Sequence, residues 1–274
     1  MAALLLVACG LEVTSKSGLN SMAGTSWVRD DETLESLFGG RLKIIQKKKG
    51  YRYTIDSVLL AHFVEPKKKD RILELGAGSG VISLLLAFRH PGVQVTGLEL
   101  QADLADMAGR SVSINGLEER VKMIRGDARK VAEFLETRSH DVAIFNPPYR
   151  KMGSGQVNPA TEKALARHEI AGSIADFLKA ASHALEPGGR VCMIYPCSRM
   201  VEAIHRMRAG KMEPKRLRMV HSRPGSRGDF VLVEGVKGGG EELAVLPPLF
   251  IYKEGEGYSE ELEALFRNLS DPAG

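Results

Sequence analysis

The sequence predicts an α/β fold: a doubly wound, mostly parallel sheet with an antiparallel last strand and a short N-terminal hairpin and helix. Three observations predict it. From Arg71 to Tyr195 short apolar runs alternate with amphipathic stretches, as strands covered on both faces by helices do. A glycine-rich turn, Gly76-Ala77-Gly78-Ser79-Gly80, joins the first of those strands to its helix. The last two strand-like runs, Arg216–Val220 and Asp229–Glu234, are separated by a turn at Pro224-Gly225. That turn is too short for a crossover, so the two runs must pair antiparallel.

The remaining elements follow in order. Arg41 to Thr54 reads as a hairpin whose basic turn is Lys47-Lys48-Lys49-Gly50. Residues 55–64 have apolar side chains at helical spacing, with Asp56 as an acid near the helix start. Strands are expected over 71–75, 93–98, 121–125, 141–145 and 189–195, before the final pair. Helices are expected over 81–89, 102–115, 129–137, 174–185 and 198–208, and one amphipathic helix over 259–268. There is no internal repeat. The expected division is a leader over 1–40, disordered or arising from a misassigned start with Met22 as the alternative, a single domain over 41–268, and a tail over 269–274. Within the domain, 41–65 form a pre-core hairpin and helix, 70–253 a catalytic core and 254–268 a C-terminal segment.

The composition bounds the function. The chain has 274 residues, 43% hydrophobic and 26% charged, enough for a sizeable core. A net charge of +4 and a pI near 8.9 are compatible with a nucleic-acid partner. The three cysteines, Cys9, Cys192 and Cys197, form no C-x-x-C pair. No zinc site, metal site or disulfide framework is therefore expected, and a reducing, cytoplasmic setting fits. No apolar run approaches the roughly 20 residues of a membrane helix. Leu6-Val7-Ala8-Cys9 looks like a lipoprotein cleavage box, but the segment is short and lacks a positive n-region.

The glycine turn carries the first chemical signal. Glycines at 76, 78 and 80 permit a tight turn and a close approach of backbone to ligand. Position 81 is Val, which breaks the dinucleotide fingerprint, and no Lys-Ser/Thr ends a phosphate loop. Glu74 precedes the turn. Glu99 ends the second strand, where a carboxylate can accept both ribose hydroxyls. Asp127, followed by Ala128, ends the third strand, where an acid beside backbone N–H groups could hold an adenine edge. A glycine turn and two acids on successive strand ends, without a phosphate cradle, point to S-adenosylmethionine as the cofactor.

The fourth strand ends in Asn146-Pro147-Pro148-Tyr149. Two prolines cannot continue a sheet ladder. The residue before a proline is held extended, so Asn146 and the Pro147 carbonyl present two rigid acceptors. A substrate –NH2 group offers two matching donors. Tyr149 supplies a flat face for stacking a base. Asn146, Pro147 and Tyr149 are thus the candidate catalytic residues.

"ELGAGSG", "GLEL", "GDA" and "NPPY" together resemble class I S-adenosylmethionine-dependent methyltransferases of the amino-group type. "IIQKKKGYRYTIDSVLLA", "ARHE" at Ala166 to Glu169 and "IY…GYSEE" near the end resemble the valine-tRNA adenine-N6 methyltransferase family. The resemblance runs from about Leu42 to Phe266. It implies a monomeric, seven-stranded, Rossmann-like fold that methylates the exocyclic amine of an anticodon-loop adenine in tRNA. It implies Gly76, Gly78, Glu99, Asp127 and Asn146 as cofactor positions, and a pre-core segment holding Gln46 and Tyr51 that closes over the cofactor.

Rival functions remain open at this point. A protein glutamine methyltransferase and a guanine-N2 RNA methyltransferase also need an amide clamp, and an RNA-binding module could keep the fold without turnover. For RNA contact the expected side chains are Lys47, Lys48, Arg150, Lys151, Arg216 and Arg218, the last two within an arginine-rich stretch from Arg199 to Arg227. Met152 to Thr161 is Gly-rich and expected to order over substrate. His168 is expected to be structural.

Overall fold

A computed structural model of the chain describes residues 12–14, 27–50, 52–147 and 172–270. Two sheets are present among the described residues. The small one has strands β1 (Glu12–Thr14), β2 (Glu32–Leu37) and β3 (Leu42–Lys47), all antiparallel neighbours. Helix α1 (Ile55–Phe63) leads from it to the large sheet.

The large sheet is built from β4 (Arg71–Leu75), β5 (Gln94–Glu99), β6 (Val121–Arg125), β7 (His140–Phe145), β8 (Leu185–Pro196), β9 (Met212–His221) and β10 (Gly228–Lys237). Two-residue strands β11 (Ala244–Val245) and β12 (Leu249–Phe250) extend the β9 edge, making nine strands where seven were expected. The order is β11-β9-β10-β8-β7-β4-β5-β6, with β12 also on β9. Strands β4 to β8 are mutually parallel, and β10 runs antiparallel to both β8 and β9. The mostly parallel, doubly wound sheet with an antiparallel β9–β10 hairpin is thus present as expected.

Helices α2 (Val81–Arg89), α3 (Ala102–Ile114), α4 (Ile174–Ala184) and α5 (Met200–Ala209) cover the sheet, and α6 (Glu260–Ser270) follows it. Alternate residues of each strand feed two separate cores. Ile72, Val142, Ile144 and Ile194 join α1 and α2 on one face. Leu73, Leu75, Phe145 and Met193 join α4 and α5 on the other. This is the side-chain period of two at work in strands buried on both sides.

Three expectations are corrected. The hairpin does not turn at Lys47–Gly50; β3 pairs backward with β2, through a turn in which Phe38, Gly39 and Gly40 all have positive φ. Residues 27–40 are therefore part of the folded unit, not a leader. The run 32–37 hid from pattern reading because two glutamates are buried in it: Glu32 pairs with Arg110 at 2.7 Å, and Glu35 receives the Arg52 guanidinium. The helix expected over 129–137 is a short 3-10 helix, Ala128–Glu133, kinked at Lys130.

Candidate active site

The register of the sheet brings the motifs together. Leu75 at the end of β4 lies opposite Leu98 of β5 on one side and Phe145 of β7 on the other. Glu99 lies opposite Arg125 of β6. The chain therefore leaves four neighbouring strands at Gly76, Glu99, Gly126-Asp127 and Asn146. The order reverses beside β4, which opens a crevice outside the carboxyl ends of the strands, where open α/β sheets bind ligands.

The glycine turn is shaped as its composition requires. Gly76, Gly78 and Gly80 all have positive φ (70°, 56° and 77°). A Cβ on Gly76 would also lie 3.1 Å from the Phe177 ring. The turn is pinned to β5: Gly76 and Ala77 donate N–H bonds to the Leu98 carbonyl at 2.8 and 3.1 Å.

Glu74 is engaged within the protein. Its buried carboxylate accepts from the Ser83 N–H at 2.9 Å and from the Ser83 hydroxyl, at the start of α2. Burial raises its pKa to about 8, against the lowering effect of those bonds. Its part is to tie the turn to the helix.

Glu99 is held differently. One oxygen accepts from Gly78 N–H and the other from Gln101 N–H, each at 2.8 Å. Burial pushes its pKa up while these backbone bonds pull it down. Each oxygen retains acceptor capacity beyond one N–H. A vicinal diol would supply one O–H to each and stabilise the charge. On this test the turn and Glu99 fit the ribose of a nucleoside cofactor.

Asp127 accepts from Arg129 N–H at 2.9 Å, and both its oxygens meet the Arg129 guanidinium at 2.6–3.0 Å. That cation lowers its pKa. An adenine edge would have to share Asp127 with Arg129 or displace it. Ala128, beside it, is buried.

Asn146 follows β7 directly, with Pro147 buried behind it. Its amide Nδ2 donates to Asp56 Oδ2 at 3.0 Å. Pattern reading assigned Asp56 only to the helix dipole. Its link to the strand end spans 90 positions and leaves no local signal. Gln46 is buried; it accepts from Tyr53 N–H at 3.0 Å and donates to Glu35 at 2.5 Å.

Tyr51, Tyr149, Arg150, Lys151, the 152–161 stretch and His168 lie outside the described residues.

The described basic residues are engaged within the protein. Lys47 pairs with Asp31 at 2.7 Å, and Lys48 donates to the Asp30 carbonyl at 2.8 Å. Arg216 pairs with Glu65 at 2.7 Å, donates to the Phe63 carbonyl at 2.6 Å and lies over the Phe63 ring. Arg218 pairs with Glu261 at 2.5 Å and donates to the Pro247 carbonyl at 2.9 Å. At Arg216 and Arg218 the arginine-rich stretch therefore joins elements of the fold. Among the described residues no group of three His, Cys, Asp or Glu side chains could hold a metal ion. No described helix is long and apolar enough to cross a membrane.

A family model described as the methyltransferase small domain matches residues 53–210, more than half of the chain. The chain belongs to that methyltransferase family. The match begins beside Thr54 and Asp56 and spans every crevice residue named above. The methyltransferase is 28% identical over 179 residues to a protein of Tolumonas auensis named tRNA1(Val) (adenine(37)-N6)-methyltransferase, covering 65% of this chain and 73% of that one. A protein of the same name from Dyadobacter fermentans is 28% identical over 141 residues, 52% of this chain and 57% of that one. For the latter relative the match spans little more than half its length. Among solved structures, one titled a "predicted O-methyltransferase" from Agrobacterium tumefaciens superposes with a TM-score of 0.64 at 24% identity, over 78% of this chain and 96% of that one. That likeness concerns the fold alone.

Proposed function

We propose that this methyltransferase moves a methyl group from S-adenosylmethionine to the exocyclic N6 of an adenine in tRNA. The observation that carries the reading is Asn146: an amide on a rigid strand end, one step across the sheet from the glycine turn, with its NH2 already engaged by Asp56. The names of the Tolumonas and Dyadobacter relatives supply the adenine and the tRNA.

When bound, the cofactor supplies a methyl group on a positively charged sulfur. The chain's residues do the rest. The turn from Gly76 to Gly80 gives the backbone close access to the cofactor. Glu99 takes the ribose hydroxyls, and Asp127 takes the adenine edge of the cofactor. Asn146 Oδ1 and the Pro147 carbonyl accept the two amine hydrogens, which turns the nitrogen lone pair out of conjugation with the ring. Tyr149 stacks on the target base. In the transfer the amine nitrogen would gain the methyl carbon as the S–C bond breaks, with S-adenosylhomocysteine as the leaving group and the displaced amine proton passing to water. Catalysis on this account is positioning and electrostatics, with no strong general base. A tRNA substrate implies a cytoplasmic enzyme, and one crevice with all its groups from one chain is consistent with a monomer.

The test is mass spectrometry of nucleosides after incubating the purified protein with S-adenosylmethionine and unmodified tRNA. N6-methyladenosine is the expected product. N2-methylguanosine, or methylation of protein glutamine in place of RNA, would transfer the site to a rival substrate. Binding of tRNA with no methyl transfer would reduce the protein to a binding module.

A further inference from the structure

Asp56 stands in the first turn of α1 and is buried. An acid there gains from the helix dipole wherever it points. The carboxylate does more than that. Oδ1 accepts from Ser57 N–H at 2.8 Å and from the Thr54 hydroxyl. Oδ2 accepts from Asn146 Nδ2 at 3.0 Å. A carboxylate accepts and does not donate. Asn146 must therefore present its NH2 to Asp56, and its carbonyl oxygen is turned the other way.

The geometry points to Asp56 as the positioning residue that sets which end of the Asn146 amide meets the substrate amine. The inference rests on the reading above, in which Asn146 Oδ1 accepts an amine hydrogen. An amide flipped by 180° would offer NH2 to NH2, donor against donor, and the clamp would be lost without any change of shape. The segment carrying Asp56 is itself anchored. Tyr53 N–H donates to Gln46 of β3, and Arg52 reaches Glu35 of β2 and the Lys47 carbonyl. Strand β3 is fixed to α3 through Ser111, which receives Ile45 N–H at 3.0 Å, and Asn115, which receives Lys43 N–H at 2.8 Å. The small sheet thus holds the loop that holds Asp56, and Asp56 holds the amide.

The chemistry yields an unusual mutational signature. In Asp56→Asn the new side chain keeps its oxygen on Ser57 N–H, because an N–H donor cannot accept from the new NH2. Its NH2 then faces Asn146, which must flip to accept. An isosteric change should therefore lower single-turnover methyl transfer to tRNA about 10²–10³-fold, as for loss of one preorganised polar contact. Affinity for S-adenosylhomocysteine and the unfolding midpoint should stay near those of the wild type. Asn146→Asp sets two carboxylates against each other and should be similarly impaired. Combining Asp56→Asn with Asn146→Asp restores donor to acceptor, with an acceptor at position 146, and should recover at least about tenfold over either single variant, a gain equivalent to about 1.4 kcal/mol.

A second readout does not depend on turnover. The Asn146 side-chain NH2, identified by its absence from the Asn146→Asp spectrum, should be shifted and slow to exchange in the wild type, and should move in Asp56→Asn. Wild-type activity of Asp56→Asn, a double variant no better than the singles, or an Asn146 NH2 that exchanges freely in the wild type would each overturn the inference. If the wild type methylates no tRNA amine, the substrate reading fails, while the spectrum still decides whether Asp56 orients the amide.

Discussion

Two halves of the sheet treat buried acids in opposite ways. In the β4–β5 half, Glu74 and Glu99 are satisfied by backbone N–H groups and a serine hydroxyl, and among the described residues no arginine or lysine meets either carboxylate. In the β8–β9 half, acids meet guanidiniums. Arg190 pairs with Asp70 at 2.7 Å and approaches Glu234 at 3.6 Å, and Arg216 bridges Glu65 and Glu234. Both halves use the same residue types on the same sheet. A carboxylate held by neutral donors keeps capacity for a ligand and a perturbed proton affinity. A carboxylate neutralised by arginine contributes to the packing of the fold, and a ligand at such an acid, as at Asp127, must share it with the arginine or displace it. The partner, more than the residue type, separates a binding group from a structural one.

The sharpest way to break this comparison is Glu99→Ala. It should weaken binding of S-adenosylhomocysteine by about 10²-fold, the value of two charge-assisted hydrogen bonds lost together, and leave tRNA affinity nearly unchanged. Calorimetry with each ligand separates the two, and unaltered cofactor affinity would place Glu99 with the structural acids.

Glu74 sharpens the comparison through pH. Its folded pKa, near 8, is raised by burial above the ordinary glutamate value of 4.5. Between those values the native state retains a proton that the unfolded chain has released. Stability is therefore fully present below about 4.5 and falls as pH rises toward 8, with a slope of at most about 1.4 kcal/mol per pH unit. Glu74→Gln keeps an acceptor for Ser83 and removes the titration. Urea midpoints measured from pH 5 to 8 should decline for the wild type and stay flatter for the variant. Parallel profiles would mean that Glu74 is ionised in the fold.

The arginines should behave in the reverse sense. Arg216→Ala should cost about 1–3 kcal/mol of stability, because it removes one of the two guanidiniums at Glu234 and the donor to the Phe63 carbonyl. The Arg218–Glu261 pair, whose acid is half exposed, should contribute about 1 kcal/mol or less. Neither substitution should change the slope of log tRNA affinity against log salt by the value of one phosphate contact. A clear loss of slope in well-folded variants would return these arginines to the RNA surface.

What could be read from the sequence followed from local constraints. The strands flanking the glycine turn were legible because residues such as Ile72, Leu73 and Leu75 serve two cores and form continuous apolar runs. The turn was legible because positive φ at 76, 78 and 80 selects glycine. Asn146 was legible because two prolines after a core strand are informative whatever lies elsewhere. The rest depends on partners far away in the chain. Glu32 and Glu35 make a buried strand look like a polar loop until Arg110 and Arg52 are beside them. The internal partners of Arg216 and Arg218 were hidden because their acids, Glu65 and Glu261, come from other elements. Asp56 looked like an acid serving only the helix dipole because Asn146 lies 90 positions on.

The central claim is that an acceptor at Asn146 holds an exocyclic amine for methyl transfer. The most direct measurement is single-turnover transfer to unmodified tRNA at saturating S-adenosylmethionine, comparing the wild type with Asn146→Ala. The account predicts N6-methyladenosine from the wild type, a rate about 10²–10³-fold lower for the variant, and an unfolding midpoint that shows the variant folded. Equal rates from the two folded proteins, or a methyl group found on a ribose oxygen or a ring atom, would contradict it.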